Sequence, residues 1–148
     1  MLIQFLGAHN CESDKTGQVS LLIDEVLALE AGAITSSLSF TSQLKIKAVL
    51  LTHQHYDHIR DIPALAMNFY LREANMDIYA TDFVYQALTN HMLNDALYPN
   101  FLQRPEGNPT IKFTTLMADS AIEIMGYKIK AVPVKHAEPA VGYQITSA

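Results

Sequence analysis

The apolar run Val49-Leu50-Leu51, whose β-branched and aliphatic character begins near Ile46, gives way within two residues to His53, Gln54, His55, Tyr56, Asp57 and His58. A run of this kind reads as a buried strand, and the polar cluster lies at its carboxyl end, where open sheets carry their chemistry. The chain must therefore build a sheet around this segment.

In an extended segment, side chains at i and i+2 share a face, so His53 and His55 can direct ring nitrogens at one point while Gln54 looks elsewhere. If the chain turns at Tyr56 and starts a helix near Asp57 or His58, those two residues are displaced from the histidine pair by on the order of 3 to 4 Å, the separation of a two-metal site. Imidazoles with a carboxylate suit zinc, and iron or manganese where carboxylates predominate. The competing reading is a solvated loop or a helix cap, and Asp57 in particular can cap a helix without seeing metal.

The rest of the chain reads as a frame for that point. Leu2 to Gly7 is expected as a strand, Gly7 to Gly17 as a loop, and Val19–Ile23 with Val26–Glu30 as a hairpin with a tight turn at Asp24-Glu25. His9 and Cys11 read as an ordinary loop histidine and a packing cysteine. Glu30, at the exit of the second strand, can bind metal, orient a ligand or simply face the turn. A short helix capped near Thr35 or Ser36 is expected between Ile34 and Leu44. Apolar spacing at Ile59, Ile62, Leu65, Ala66 and Phe69 predicts a helix from Asp57 to Glu73, with Pro63 in its first turn. A strand over 77–81 and a helix capped by Asp82 complete a βαβ crossover, and His91 reads as a satisfied histidine on that helix. The stretch from Met92 to Pro109 breaks all periodicity. A long loop is often a lid, but Tyr98, Phe101 and Leu102 favour packing on its own domain. Ile111–Thr115, Ala121–Ile124 and Tyr127–Pro133 are expected as strands of a second, antiparallel layer.

Composition narrows the classes. The 148 residues, 49% hydrophobic with a formal charge of −5, suffice for one core and leave no broad basic surface. A single cysteine excludes an intrachain disulfide and a cysteine-rich metal site. No secretion-type amino terminus or membrane-length apolar run is present, so a cytoplasmic protein without membrane contact is expected.

A second strand, ending Val132-Pro133-Val134-Lys135, also runs into a histidine, His136. As a third ligand beside His53 and His55 it would complete a site with open positions for water; alone, it could equally donate to backbone carbonyls.

Together these residues resemble a known family. Thr52-His53-Gln54-His55-Tyr56-Asp57-His58 resembles the metallo-β-lactamase signature T-H-x-H-x-D-H. Val134-Lys135-His136 with Val141-Gly142-Tyr143-Gln144-Ile145 is similar to that family's third metal motif, in the form found among tRNA 3′-processing endonucleases and cyclic-nucleotide phosphodiesterases. The resemblance implies an α+β fold, a four-layer αββα sandwich. It also implies two divalent metal ions, zinc foremost with iron or manganese as substitutes. His53, His55 and His136 would hold one metal, Asp57 and His58 the second, and a hydroxide bridging them would attack the substrate, with Asp57 also acting on the proton. Glu30 stands where the family usually has an aspartate that supports the metal loop. A histidine at 55 leans toward hydrolysis rather than diiron redox chemistry.

The family's later bridging aspartate and final histidine have no counterpart here, so residues 1–148 are expected to be the N-terminal part of the domain. The sandwich is then incomplete, and exposed strand edges favour a homo-oligomer, a dimer being the simplest. The expected activity is hydrolysis of a small phosphodiester, tRNA being disfavoured by the lack of a basic patch. The alternatives are a thioester, lactone or lactam hydrolase, and a non-catalytic metal-binding or assembly module.

Overall fold

A computed structural model describes residues 1–147. The first of two sheets holds six strands in chain order: β1 (Ile3–Gly7), β2 (Ser20–Ile23), β3 (Leu27–Leu29), β4 (Ala48–Leu50), β5 (Met76–Ala80) and β6 (Ile111–Thr115). Strands β1 to β3 pair antiparallel, and β3 to β6 pair parallel. The second sheet is the antiparallel set β7 (Ala121–Ile124), β8 (Tyr127–Val134) and β9 (Ala140–Ser147).

Strand alternation sorts side chains into two cores. Val49 and Leu51 face one, with Leu65, Phe69 and Leu88 from the helices; Ala48 and Leu50 face the other, with Ile124, Tyr127 and Ile129 of the second sheet. The order is helices, first sheet, second sheet: three layers of the expected α+β sandwich, which is partial in this chain. Among the described residues no helix joins the core between the sheets. The outer face of the second sheet leaves Lys128, Lys130, Val132 and Val134 exposed.

The acidic hairpin forms as expected, with Asp24 and Glu25 at φ 47° and 64°, the pair of left-handed residues that a two-residue turn requires. The Tyr127 hydroxyl donates to Asp24 Oδ2 at 2.5 Å and ties the second sheet to that turn.

Four expectations are corrected. The single helix over 57–73 is two, α3 (Tyr56–Ile59) and α4 (Ile62–Tyr70), because the Pro63 ring in a continuous helix would collide with the Ile59 carbonyl. Asp61 sits at the break, donating its N–H to Ala31 O at 2.8 Å and accepting from Thr35 N–H at 2.7 Å. Between Ile34 and Leu44 lie two single turns, α1 (Ile34–Ser37) and α2 (Phe40–Gln43). Extended Leu38 separates them, and Ser39, rather than Thr35 or Ser36, caps by accepting from Ser42 N–H at 3.2 Å. Thr81 precedes α5 (Asp82–Ala87), leaving Asp82 inside the first turn, where its carboxylate suits the positive end of the helix. That helix continues as a π-helical turn, Leu88–Met92. Finally, Ile111–Thr115 belongs to the first sheet as a parallel partner of β5, not to the antiparallel layer.

Phe101 anchors the long loop in the helix-side core. No helix among the described residues is long and apolar enough to cross a membrane.

Candidate metal centre

Past Leu50 the backbone stays extended and is held from both sides. Leu51 N–H donates to Tyr79 O at 3.1 Å, Val141 N–H donates to Thr52 O at 3.1 Å, and the Tyr143 hydroxyl donates to Leu51 O at 2.8 Å. His53 follows directly, 5% exposed. His55 is still extended at φ −63°, ψ 145°, and the chain turns helical only at Tyr56, which keeps His53 and His55 on one side, as their spacing predicts. His53 Nε2 and His55 Nδ1 are 3.0 Å apart, and His53 Nδ1 is hydrogen-bonded with Thr52 Oγ1 at 2.9 Å. His136 arrives from the β8–β9 connection, with its ring 4.5 Å from that of His53 and 5.2 Å from that of His55. One ligand atom from each of His53, His55 and His136 lies within 4.8 Å of the others.

Asp57 and His58 stand beside this group, in the first turn of α3. The His58 ring is 4.2 Å from that of His53, and its Nε2 is 3.4 Å from Asp57 Oδ2. Among the described residues the one group of three converging ligands is the histidine trio; Asp57 and His58 form a pair at its edge. His9, Cys11 and His91 lie exposed outside it.

The turn after β3 grips the ligand loop. Glu30, buried at φ 64°, is in the left-handed region that costs a non-glycine residue roughly 1–2 kcal/mol, and backbone hydrogen bonds hold the turn there. Its N–H donates to Leu50 O at 2.9 Å, and the Ala31 N–H donates to His58 O at 2.7 Å. The Glu30 carboxylate accepts from Thr52 N–H at 3.3 Å and approaches His58 Nδ1 to 3.3 Å, a charge contact without the alignment of a full hydrogen bond. A Cβ on Gly32 would fall 2.0 Å from the Asp57 carbonyl oxygen, so only glycine lets this turn approach the ligand loop so closely.

The electrostatics at His53 suit a metal ligand. Burial, then the neighbouring His58, His55 and His136, pushes His53 down to about 4, so its ring is neutral, as a metal ligand must be. Burial alone would also lower His58, but Glu30 and then Asp57 outweigh it and raise that group. A neutral, buried imidazole beside two others with converging nitrogens is a donor set that could hold a divalent metal ion.

The motif was legible in the sequence, but its supports were less so. Tyr143 stands within the third-motif resemblance, which gives its side chain no role. Its hydroxyl, raised above its usual range by burial and then by the Glu30 charge, fixes the strand end that delivers His53. The signal was available, since an inward-facing tyrosine requires a hydrogen-bond partner. Asp61 carries no local signal, and the signature that includes Thr52 does not announce its hydrogen bond to His53.

Glu30→Gln keeps the shape of the turn but removes the carboxylate charge facing His58. We expect zinc affinity to fall about 10- to 100-fold, measured by competition with a chelating dye; unchanged affinity would show that Glu30 serves only the turn.

A family model described as "Beta-lactamase superfamily domain" matches residues 21–148. The chain is similar to ribonuclease Z of Thermococcus kodakarensis, at 28% identity over 124 residues, 80% of this chain and 37% of that protein. Among solved structures it is similar to the metallo-beta-lactamase fold protein YhfI from Bacillus subtilis, with a TM-score of 0.73 at 19% identity, covering 97% of this chain and 57% of that one. It is also similar to unliganded yeast PDE1, with a TM-score of 0.78 at 14% identity, covering 98% and 61%. At such identities the two structures speak for the fold alone, and in all three cases the chain spans less than two thirds of its relative. With the family model covering all but the first twenty residues, and its histidine motif assembled at the end of β4, the chain belongs to the beta-lactamase superfamily.

Proposed function

We propose that this chain carries the ligand-bearing part of a metal-dependent hydrolase acting on phosphodiester bonds. The observation that carries this reading is the convergence of His53, His55 and His136 to within 4.8 Å, with Asp57 and His58 alongside. In this reading the three histidines hold one divalent ion and Asp57 with His58 contributes to a second. Bound divalent ions lower the pKa of water and neutralise charge building on the attacked phosphoryl group.

The chain's own residues supply the positioning. Thr52 fixes the His53 ring through Nδ1, leaving Nε2 for the ion, and Glu30 holds His58 from behind. Asp57, half-buried at the edge of the cluster, orients the attacking water and receives its proton. A phosphodiester is favoured over a thioester, lactone or lactam by the similarity to a ribonuclease. The exposed Ile3 and Phe5 on edge strand β1, with the open edge of β9, support self-association through strand pairing.

Elemental analysis of the zinc-loaded protein, beside hydrolysis of bis(p-nitrophenyl) phosphate, tests the reading. About two metals per chain with turnover is the expected result. Bound metal without turnover would instead make the chain a metal-binding module.

A further inference from the structure

A cavity of about 700 Å³ opens on His136, the size of a pocket for one small molecule. It lies where the ends of β5 and β6 meet the β8–β9 connection, and its wall includes Phe83, Leu116, Met117, Pro133, Val134 and Pro139. These are the groups that pack on flat rings, since methionine sulfur and the faces of phenylalanine and proline all offer adaptable apolar contact to an aromatic plane. Phe83 and Met117 are 53% and 76% exposed, so both can meet a ligand that enters from solvent. The lining charges are one cation, Lys135, and two carboxylates, Asp82 and Glu138.

We infer that this cavity binds a planar aromatic substituent of the substrate while the phosphodiester lies at His136. Continuity fixes the occupant, because His136 belongs both to the cavity wall and to the converging ligands. Charge fixes its class. A single phosphodiester brings one negative charge, which Lys135 can meet, whereas a nucleic acid strand brings one per nucleotide into a lining with more carboxylates than cations, on a chain of net charge −5. The aromatic group can be a simple aryl ester or the base of a nucleoside ester. The placement of the ester rests on the hydrolase reading; the binding of the ring does not.

The test is calorimetric titration of the protein, with and without zinc, using methyl 1-naphthyl phosphate and dimethyl phosphate. The aryl ester should bind on the order of 10- to 100-fold tighter, with or without metal. Met117→Asp should bring the two ligands within about twofold of each other, and Phe83→Ala should narrow the gap. Leu97→Asp, at an exposed apolar residue outside the cavity, should leave it intact. Because all three side chains are exposed, the variants are expected to fold, which circular dichroism verifies. Equal affinity for the two ligands in the parent protein, or a preference that survives Met117→Asp, overturns the inference. The methyl ester of adenosine 5′-monophosphate separates the sources: binding tighter than the naphthyl ester assigns the cavity to a nucleoside, weaker binding to an aryl group. Ring binding without turnover of methyl p-nitrophenyl phosphate would leave the cavity standing and remove the hydrolase reading alone.

Discussion

His136→Ala is expected to lower the affinity of the chain for zinc by more than about 100-fold while leaving the metal-free fold as stable as before. The size follows from its place: partners one shell removed from a metal cost about 10- to 100-fold, so loss of one of three converging imidazoles costs more. The stability follows from exposure. His136 is exposed, and among the described residues its side chain makes one hydrogen bond, accepted from the Glu138 N–H at 3.3 Å. Exposed substitutions away from packed features change stability by roughly 0.5 kcal/mol or less, so the melting temperature of the metal-free protein should move by at most about 2 °C. Dye competition and differential scanning calorimetry on the same samples measure both quantities. A histidine with only a structural duty would give the opposite pair of results, a lower melting temperature with zinc binding intact.

Phe101→Ala should destabilise the protein by about 3–5 kcal/mol, the usual cost of emptying a buried phenylalanine site, and lower the melting temperature by roughly 10 °C. Phe101 is 1% exposed despite lying in a stretch without strand or helix. Its ring is 5.5 Å from that of Tyr70, and its carbonyl accepts from Ile111 N–H at 3.0 Å, where β6 begins. The loop is therefore part of the core's wall. Urea unfolding of the variant checks this; an unchanged midpoint with weakened substrate binding would mark the loop as a lid.

Local patterns were legible wherever a short-range rule governs them. The i, i+2 spacing of His53 and His55, the Asp24-Glu25 turn and the apolar alternation of β4 follow from backbone geometry within a few residues, and the structure shows each of them. Periodicity alone bridges Arg60 and Asp61 and so predicts one helix over 57–73, where the structure has two. The break there is fixed by Pro63 together with bonds from Asp61 to residues some thirty positions away. Likewise, β6 looks like any short strand. Its parallel pairing with β5 depends on where a long connection returns, which no local pattern encodes.

By itself the sequence determined the family, the strand that leads to His53 and the identity of the histidine trio, because ligand chemistry and strand periodicity are written in residue type and spacing. Only the tertiary structure decided that His136 closes on the pair, that Glu30 reaches both Thr52 N–H and His58, and that the cavity beside His136 is apolar. Each of these is a meeting of segments far apart in the chain, set by how two sheets pack rather than by any rule that acts along a few residues.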